Sequence, residues 1–505
     1  MSTRNYIWVV VTLALMVSAA WAQDTPPDTT PSSPSGQPQE PVPAYGQQGT
    51  APSMSENPPL SGLDLPSLEP NAAPLSYLQP GATFTETADS NAAGTVGNAP
   101  AFTSVTRGLG NLALRRLWSN YDLALNYQGG VGYYSLTGQG WKLLQQMDVD
   151  QKISWKRGQL SLRDSFSYLP YGNFGTSYGS LGSIGIGSLA GTGFGAFAGG
   201  SALGSFGLAP RILNVSIADI TENLTPKSSL TAAGGYAFTH FLGTDSAGNS
   251  FIGVSQASAQ GGYNRILTSH TQVALVYAYQ AFDFSVTDLA FHSHVIQGMY
   301  GHRISGRMDL LIGAGPQITL LNYCPVYLFG VCLSGTTPDT RIGVAGIFRL
   351  RYKFPKTSVD LSYQRYISSG SGFFAGAQTD VARLSADRPL SRVWNAFADI
   401  GYSRNSRLQP LSTAQQSFCV SPGQPNPKNL PPCPGVDADT YQYGFLGGGL
   451  HRQIGHDFHV FASYQFNELA FDHSYCGGSA VCDRISNREV ITFGLDWTPR
   501  PIRLD

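Results

Sequence analysis

The feature that most constrains this chain is a two-residue alternation of apolar and polar side chains, repeated from Tyr121 to Trp497. In the last stretch Ile491, Phe493, Leu495 and Trp497 alternate with Thr492, Gly494 and Asp496. Near the beginning Tyr121, Leu123, Leu125 and Tyr127 alternate with Asp122, Ala124, Asn126 and Gln128. Phe458, Val460, Ala462, Tyr464 and Phe466 lie opposite His459, Ser463, Gln465 and Asn467. Met308, Leu310, Ile312, Ala314 and Ile318 form one such face, and Val359, Leu361 and Tyr363 oppose Asp360, Ser362 and Gln364. A period of two is that of a strand with one face in an apolar medium. Beyond the leader no run reaches the ~18 apolar residues that a membrane-crossing helix needs. A chain that crosses lipid with strands must close them into a barrel, because lipid satisfies no unpaired backbone group.

The spacing gives strands at 121–134, 141–156, 159–169, 211–219, 228–241, 252–265, 270–283, 290–304, 307–321, 340–354, 357–368, 376–388, 391–404, 439–454, 457–470 and 487–498. The fold class expected is all-β: a closed antiparallel transmembrane barrel of about 16 strands. The connections alternate in length. Short ones fall at Lys156–Gly158, Thr221–Lys227, Leu267–Ser269, Ser305–Gly306, Pro355–Lys356, Arg388–Leu390 and Gly455–His456. Long ones include 170–210, 242–251, 322–339, 405–438 and 471–486. This is the periplasmic-turn and outer-loop pattern of outer-membrane barrels, and an even strand number leaves both termini in the periplasm. Charged residues are only 12% of the chain, about half the usual share for a soluble protein. Trp118, Trp141, Trp155, Trp394 and Trp497 fall at or near strand ends, where an interfacial girdle belongs. Asp164 falls on the lipid side of its strand, so its register is displaced, bulged or close to the interface.

The first residues read as a secretory signal. Arg4 precedes the apolar run Ile7–Val17, and Ala20-Trp21-Ala22 supplies the cleavage pattern. Gln23, not Cys, follows that site, which argues against a lipoprotein anchor. From Gln23 to about Thr106 there is no Lys or Arg. Prolines cluster at 26, 27, 31, 34, 38, 41 and 43 among Asp24, Asp28, Glu40, Glu56, Asp64, Glu69, Glu86 and Asp89. Such a composition does not repay ordering entropy. The expected organisation is therefore a signal peptide at 1–22, a disordered acidic Pro-rich periplasmic segment at 23–117 and the barrel at 118–505. A folded plug is not expected from so little apolar material. Leu63, Leu65 and Leu68 are candidates for docking a periplasmic partner.

The leader, the alternating strands and the final Ile491–Trp497 strand resemble bacterial outer-membrane porin-like barrels. The resemblance implies that Thr492, Gly494 and Trp497 contribute to a terminal signal read by the barrel-assembly machinery. It also implies outer-membrane lipid and small hydrophilic solutes as partners. A homo-oligomer is compatible with it, since porins commonly form trimers. The chain departs from the pattern in that eight residues follow Trp497 and the last is Asp505.

The six cysteines fall in three close pairs, each within one outer loop: Cys324 with Cys332, Cys419 with Cys433, and Cys476 with Cys482. In an exported chain they read as disulfides, and the absence of C-x-x-C spacing argues against a thiolate metal site. The stretch 171–210 carries no charge. Its Gly191–Gly200 part lacks the lysine of a phosphate loop, so no cofactor is expected. It is read as a constriction folded into the lumen, as an outward adhesive or aggregating surface, or as plain disorder. Arg341, Arg349, Arg351 and Lys353 share one face, and Asp148, Asp150, Asp360 and Asp399 are carboxylates that could oppose them. These eight are the pore-lining charge candidates.

No catalytic role is expected. Asp472-His473-Ser474 could form a rim hydrolase only with irregular backbone, because neighbours on a strand face opposite sides. His292 and His294 are the only pair with ligand-like spacing among His302, His451 and His456. A net charge of -1 argues against nucleic acid. The function expected is an outer-membrane pore for passive or weakly selective diffusion, with a neutral solute such as a sugar favoured. The rival readings are an export or surface barrel served by periplasmic partners and, behind it, the rim hydrolase.

Overall fold

The computed structural model describes residues 59–63, 76–91, 102–135, 140–169, 210–242, 252–284, 290–323, 327–328, 331–332, 337–370, 372–408, 438–472 and 485–504. The strands in order are β1 (Tyr77–Asp89), β2 (Thr103–Leu117), β3 (Tyr121–Tyr134), β4 (Gly140–Trp155), β5 (Gly158–Leu169), β6 (Arg211–Thr225), β7 (Ser228–Phe241) and β8 (Val254–Thr268). They continue through β9 (Thr271–Phe284), β10 (Ala290–Ser305) and β11 (Met308–Tyr323) to a short loop hairpin, β12 (Tyr327–Leu328) and β13 (Val331–Cys332). After it come β14 (Thr337–Lys353), β15 (Ser358–Ser368), β16 (Ala377–Pro389), β17 (Trp394–Arg407), β18 (Thr440–Ile454), β19 (Phe458–Phe471), β20 (Ile485–Trp497) and β21 (Ile502–Arg503).

Without β12, β13 and β21, the long strands pair antiparallel with their chain neighbours, and β20 pairs back onto β1. The result is a closed barrel of 18 strands. The long strands run from 11 to 17 residues, enough to cross a bilayer when tilted, which takes about 9–11. Eighteen strands about 4.8 Å apart and tilted about 40° enclose a cylinder roughly 35 Å across at the backbone.

The sixteen expected strands are all present, with ends shifted by a few residues. The strand expected at 211–219 runs on to Thr225, so the Thr221–Lys227 turn contracts to Pro226 and Lys227. Register shifts occur at Asn223/Thr225, Ile266/Thr268 and Arg303/Ser305. All three lie at the short-turn ends, where a bulge tightens the reversal.

The correction lies at the N-terminal boundary. The segment expected to be disordered to residue 117 contributes β1 and β2, so the barrel begins at Tyr77 and has eighteen strands, not sixteen. Both additions preserve the alternation of connections. The β2–β3 turn is short, the β1–β2 connection is long, and β1 begins and β20 ends at the short-turn end.

The three expected disulfides are not among the described contacts. Cys324, Cys419, Cys433, Cys476 and Cys482 lie outside the described residues, and of Cys332 only the backbone, in β13, is described. The pairing of Cys324 with Cys332, of Cys419 with Cys433 and of Cys476 with Cys482 therefore stands as a proposal from their spacing in three separate long loops. The leader and the stretch 171–209 also lie outside the described residues.

The seam explains the residues beyond Trp497. β1 pairs with β20 from Ala82↔Trp497 to Asp89↔Val490, then with β21 through Tyr77↔Arg503 and Leu78↔Ile502. Between these two pairings lies Pro80, which has no N–H to leave unpaired where the ladder is interrupted. Gln79 Nε2 donates to the Pro499 carbonyl at 2.9 Å, and Leu504 N–H donates to the Ser76 carbonyl at 3.0 Å. At the other end of the seam Arg488 Nε donates to Asp89 Oδ1 at 2.7 Å, and both side chains are fully buried.

The two faces divide as the alternation requires. Outward positions carry Phe84, Leu143, Leu275, Ile342, Val344, Ile400 and Phe493, all exposed. Inward positions carry Thr83, Thr85, Gln128, Ser165, Gln280, Ser403 and Asn467, all buried. Trp118, Trp155, Trp394 and Trp497 ring the short-turn end, and Trp141 marks the other. Asp164 does face outward, in regular register opposite Ser216, so neither a slip nor a bulge explains it. Its carboxylate accepts Asn214 Nδ2 at 3.2 Å and Ser216 Oγ at 2.5 Å, a local polar set that supplies the bonds lipid does not.

Replacing Arg488 with Ala strands the Asp89 carboxylate in the seam, a loss of about 3–5 kcal/mol for a broken buried pair. The refolded R488A barrel is expected to unfold at clearly lower urea concentration. The neutral pair D89N/R488Q is expected to recover much of the difference. Equal midpoints for R488A and the unaltered protein would show that the seam does not rely on this pair.

Candidate functional site

The site is the lumen, whose wall changes character around the circumference. From β14 to β17 it is charged. Arg349 Nε donates to Asp360 Oδ2 at 2.8 Å, and Arg383 Nε reaches both oxygens of Asp399 at 2.9 and 3.0 Å. Arg351 stands opposite Asp360 in the ladder, with Lys353 one inward position further on. On β4 and β5, eight strands round from β14, Arg163 Nη2 lies 2.6 Å from Asp150, which also accepts Ser161 Oγ at 2.9 Å. Asp148 accepts Ser165 Oγ at 2.5 Å and Gln146 Nε2 at 3.2 Å. The planar guanidinium suits these cross-strand carboxylates because it presents several donors in one fixed fork.

Between the charged sectors, the inward faces of β7, β8 and β9 carry no charged side chain. They present Thr231, Gln256, Ser258, Gln260, Asn264 and Gln280 among small and apolar residues. Against this neutral wall lies Pro59–Leu63, from the segment expected to stay outside the barrel. Leu60 N–H donates to Asn264 Oδ1 at 3.1 Å. The Ser61 carbonyl accepts Thr231 Oγ1 and Gln260 Nε2, each at 2.9 Å. Leu63 packs with Val215, Ile217 and Ala237. Five residues of the segment therefore lie against the lumen wall, a local contact and not a folded plug, and Leu63, one of the three docking candidates, packs there. Leu65 and Leu68 lie outside the described residues.

At the long-loop end the connection between β15 and β16 folds inward. Gly370, Gly372 and Gly376 have φ of 80°, 84° and 89°, values that glycine adopts without strain. They turn the Phe373-Phe374 pair into the barrel, where both rings are fully buried. Phe373 meets Tyr441 and Phe471 edge-on at 5.2 and 5.5 Å between centroids, and Arg407 lies 4.6 Å over the Phe374 ring. On the other side Ile252 N–H, just before β8, donates to the Gly372 carbonyl at 2.9 Å. β8 and β19 are nine strands apart in a circle of eighteen, so this insert bridges opposite walls. Phe282, Phe284, Phe291 and Leu321 continue the apolar lining beside it.

Beside the Pro59–Leu63 insert lies a cavity of about 130 Å³. Leu60, Gly62 and Leu63 line one side, and Gln317, Arg349, Gln364 and Tyr366 line the other. The side-chain oxygens of Gln317 and Gln364 are buried without a protein partner among the described residues.

All eight charges proposed from sequence lie on inward-facing positions. The structure brings Arg349 together with Asp360, but gives Asp399 to Arg383 and Asp150 to Arg163. Arg341 pairs with Asp339 at 3.2 Å near the long-loop end. Arg163, Arg383 and the aromatic insert were missed. Arg163 sits beside the outward Asp164, and Arg383 lies in a strand that also holds Asp380, Asp387 and Arg388, so neither belongs to a run of like charge on one face. The insert is signalled only by glycines around a Phe-Phe pair. His292 and His294 face outward, each bonded through Nδ1 to a tyrosine, Tyr279 and Tyr277. Asp472 accepts the backbone N–H groups of Asp439 and Thr440 at 3.2 and 2.9 Å. His473 and Ser474 lie outside the described residues.

Closed antiparallel pairing, an apolar exterior and a hydrogen-bonded polar lumen define an outer-membrane-type β-barrel of porin size. No protein-family profile and no curated protein matches this chain. Among solved structures it is similar to Pseudomonas aeruginosa OccK2 (OpdF) in complex with glucuronate. The identity is 10% and the TM-score 0.40, over 84% of this chain and 98% of that one. It is also similar to Acinetobacter baumannii OccAB3, at 10% identity and a TM-score of 0.38 over 85% and 99% of the two chains. The FrpB iron transporter from Neisseria meningitidis aligns at 7% identity and a TM-score of 0.41, over 83% and 82%.

Removing one buried aromatic ring costs about 3–5 kcal/mol in a packed core, and the loss here falls on the insert. In the F373A/F374A protein, hydrogen exchange at the Ile252 and Leu408 amides is expected to accelerate strongly, because both donate to carbonyls of the insert. Amides in the middle of β8 and β18 are expected to keep their protection. Unchanged exchange at Ile252 and Leu408 would show that the rings do not hold the insert in place.

Proposed function

We propose that this protein is a channel for the diffusion of small hydrophilic solutes across a bacterial outer membrane, with its short turns and both termini on the periplasmic side. The observation that carries this reading is a polar, ion-paired wall enclosed by an apolar exterior in a barrel too wide to fill with its own side chains. The neutral sector of β7–β9, lined by Thr231, Gln256, Ser258 and Gln280, suits hydroxylated, uncharged solutes such as sugars. The basic residues of β14 face the carboxylates of β4 across the lumen, which gives a transverse field and a weak charge preference.

Conductance in planar bilayers and swelling of sugar-loaded liposomes test this reading. Small neutral sugars are expected to permeate. The R349Q/R351Q/K353Q protein is expected to shift its reversal potential in a salt gradient toward cation preference, with its conductance largely kept. A folded barrel that passes neither ions nor sugars, in any variant, would overturn the channel reading.

A further inference from the structure

We propose that the neutral inner wall of β7–β9 is a receptor groove for a short uncharged peptide, and that the chain's own Pro59–Leu63 occupies it as a displaceable pore-closing ligand. This rests on the channel reading and adds a regulated site to it.

Three directional contacts converge on two peptide groups with one between them, Asn264 reading the N–H of Leu60 and Thr231 and Gln260 reading the carbonyl of Ser61. The segment is compactly pre-shaped: Gly62 N–H donates to the Pro59 carbonyl at 3.0 Å, closing a turn, and Pro59 fixes its own φ. The wall leaves room for that turn. A Cβ on Gly262 would stand 2.5 Å from the Ser61 Cβ, and one on Gly301 would stand 3.0 Å from both methyls of Leu60. Ordinary side chains at these two inward positions would press on the segment.

Charge agrees with shape. Pro59–Leu63 is a neutral stretch flanked in sequence by Glu56 and Asp64, and it lies on the sector that carries no charge. The segment stands in the lumen, because the cavity beside Leu60, Gly62 and Leu63 is bounded on its other side by Arg349, Gln364 and Tyr366. Its hold consists of two leucines and three side-chain hydrogen bonds, with no covalent or strand-ladder attachment among the described residues. Such a ligand exchanges without unfolding the barrel.

Single-channel recording tests the proposal on three proteins: the full chain, its L60D/L63D variant and a chain lacking residues 23–63. Neither alteration touches a barrel strand. The expected result is a several-fold larger mean current from both altered proteins. A synthetic peptide of residues 57–64, added at the short-turn side of the deletion protein, is expected to restore the small current, whereas a scrambled peptide is not. G301A, which presses on Leu60 from the wall, is expected to raise the current of the full chain.

Equal currents from the three proteins would overturn the groove and leave the channel standing. Larger currents with no response to the peptide would overturn the receptor half of the proposal. Silence from all three, with the barrels shown to be folded, would overturn the channel reading and this inference together.

Discussion

Everything in this structure depends on one condition: a backbone surrounded by lipid must satisfy its own hydrogen bonds. A sheet of any number of strands fails this condition until its first and last strands meet. Here they meet through Tyr77–Asp89 and Ile485–Trp497, extended past an interruption at Pro80 by Ile502–Arg503. The seam also fixes parity. A shift of one residue in the pairing would turn Thr83, Thr85 and Thr87 to lipid and Phe84 to the lumen. The buried Arg488–Asp89 pair penalises that shift, because it would turn Asp89 outward and leave Arg488 buried without its carboxylate.

Closure at eighteen strands creates a second problem, a lumen that wall side chains cannot span. The chain meets it with two insertions of different chemistry. Near the long-loop end Phe373 and Phe374 sit in an aromatic cluster that joins opposite walls. In the short-turn half, Pro59–Leu63 is held by amide and hydroxyl side chains on a neutral wall. The charged sectors of β4–β5 and β14–β17 line much of the remaining wall. Their arginines and aspartates neutralise one another across adjacent strands, so the wall is polar without a large unpaired charge. The first insert depends on apolar contact and the second on directional hydrogen bonds, so solvent conditions and substitutions affect them separately.

Most of the barrel was legible because lipid imposes a strong contrast between faces. Strands such as Phe458–Phe471 state their orientation residue by residue. β1 and β2 were not legible, for physical reasons. In β1 the inward threonines face outward Ala82, Glu86 and Ala88, so the contrast in hydrophobicity is slight, and Pro80 reads as a breaker. In β2 leucines occupy both faces, Leu109 inward and Leu112 and Leu114 outward, so the alternation cancels. The lumen charges were legible as positions, since parity alone places them. Their partners were not, since Arg383 with Asp399 and Arg163 with Asp150 depend on register between strands. Asp164 was visible as an anomaly, but its remedy, Asn214 and Ser216, lies across a connection of some forty residues.

The central claim is that Tyr77–Asp89 closes the barrel and that the chain just before it enters the lumen. Electron cryo-microscopy of the full protein in lipid nanodiscs tests this most directly. The account predicts eighteen strands in projection, with Tyr77–Asp89 against Ile485–Trp497 and density for residues 59–63 on the inner face of β7 and β8. Sixteen strands closed by Tyr121–Tyr134 against Ile485–Trp497, with an empty neutral wall, would contradict it.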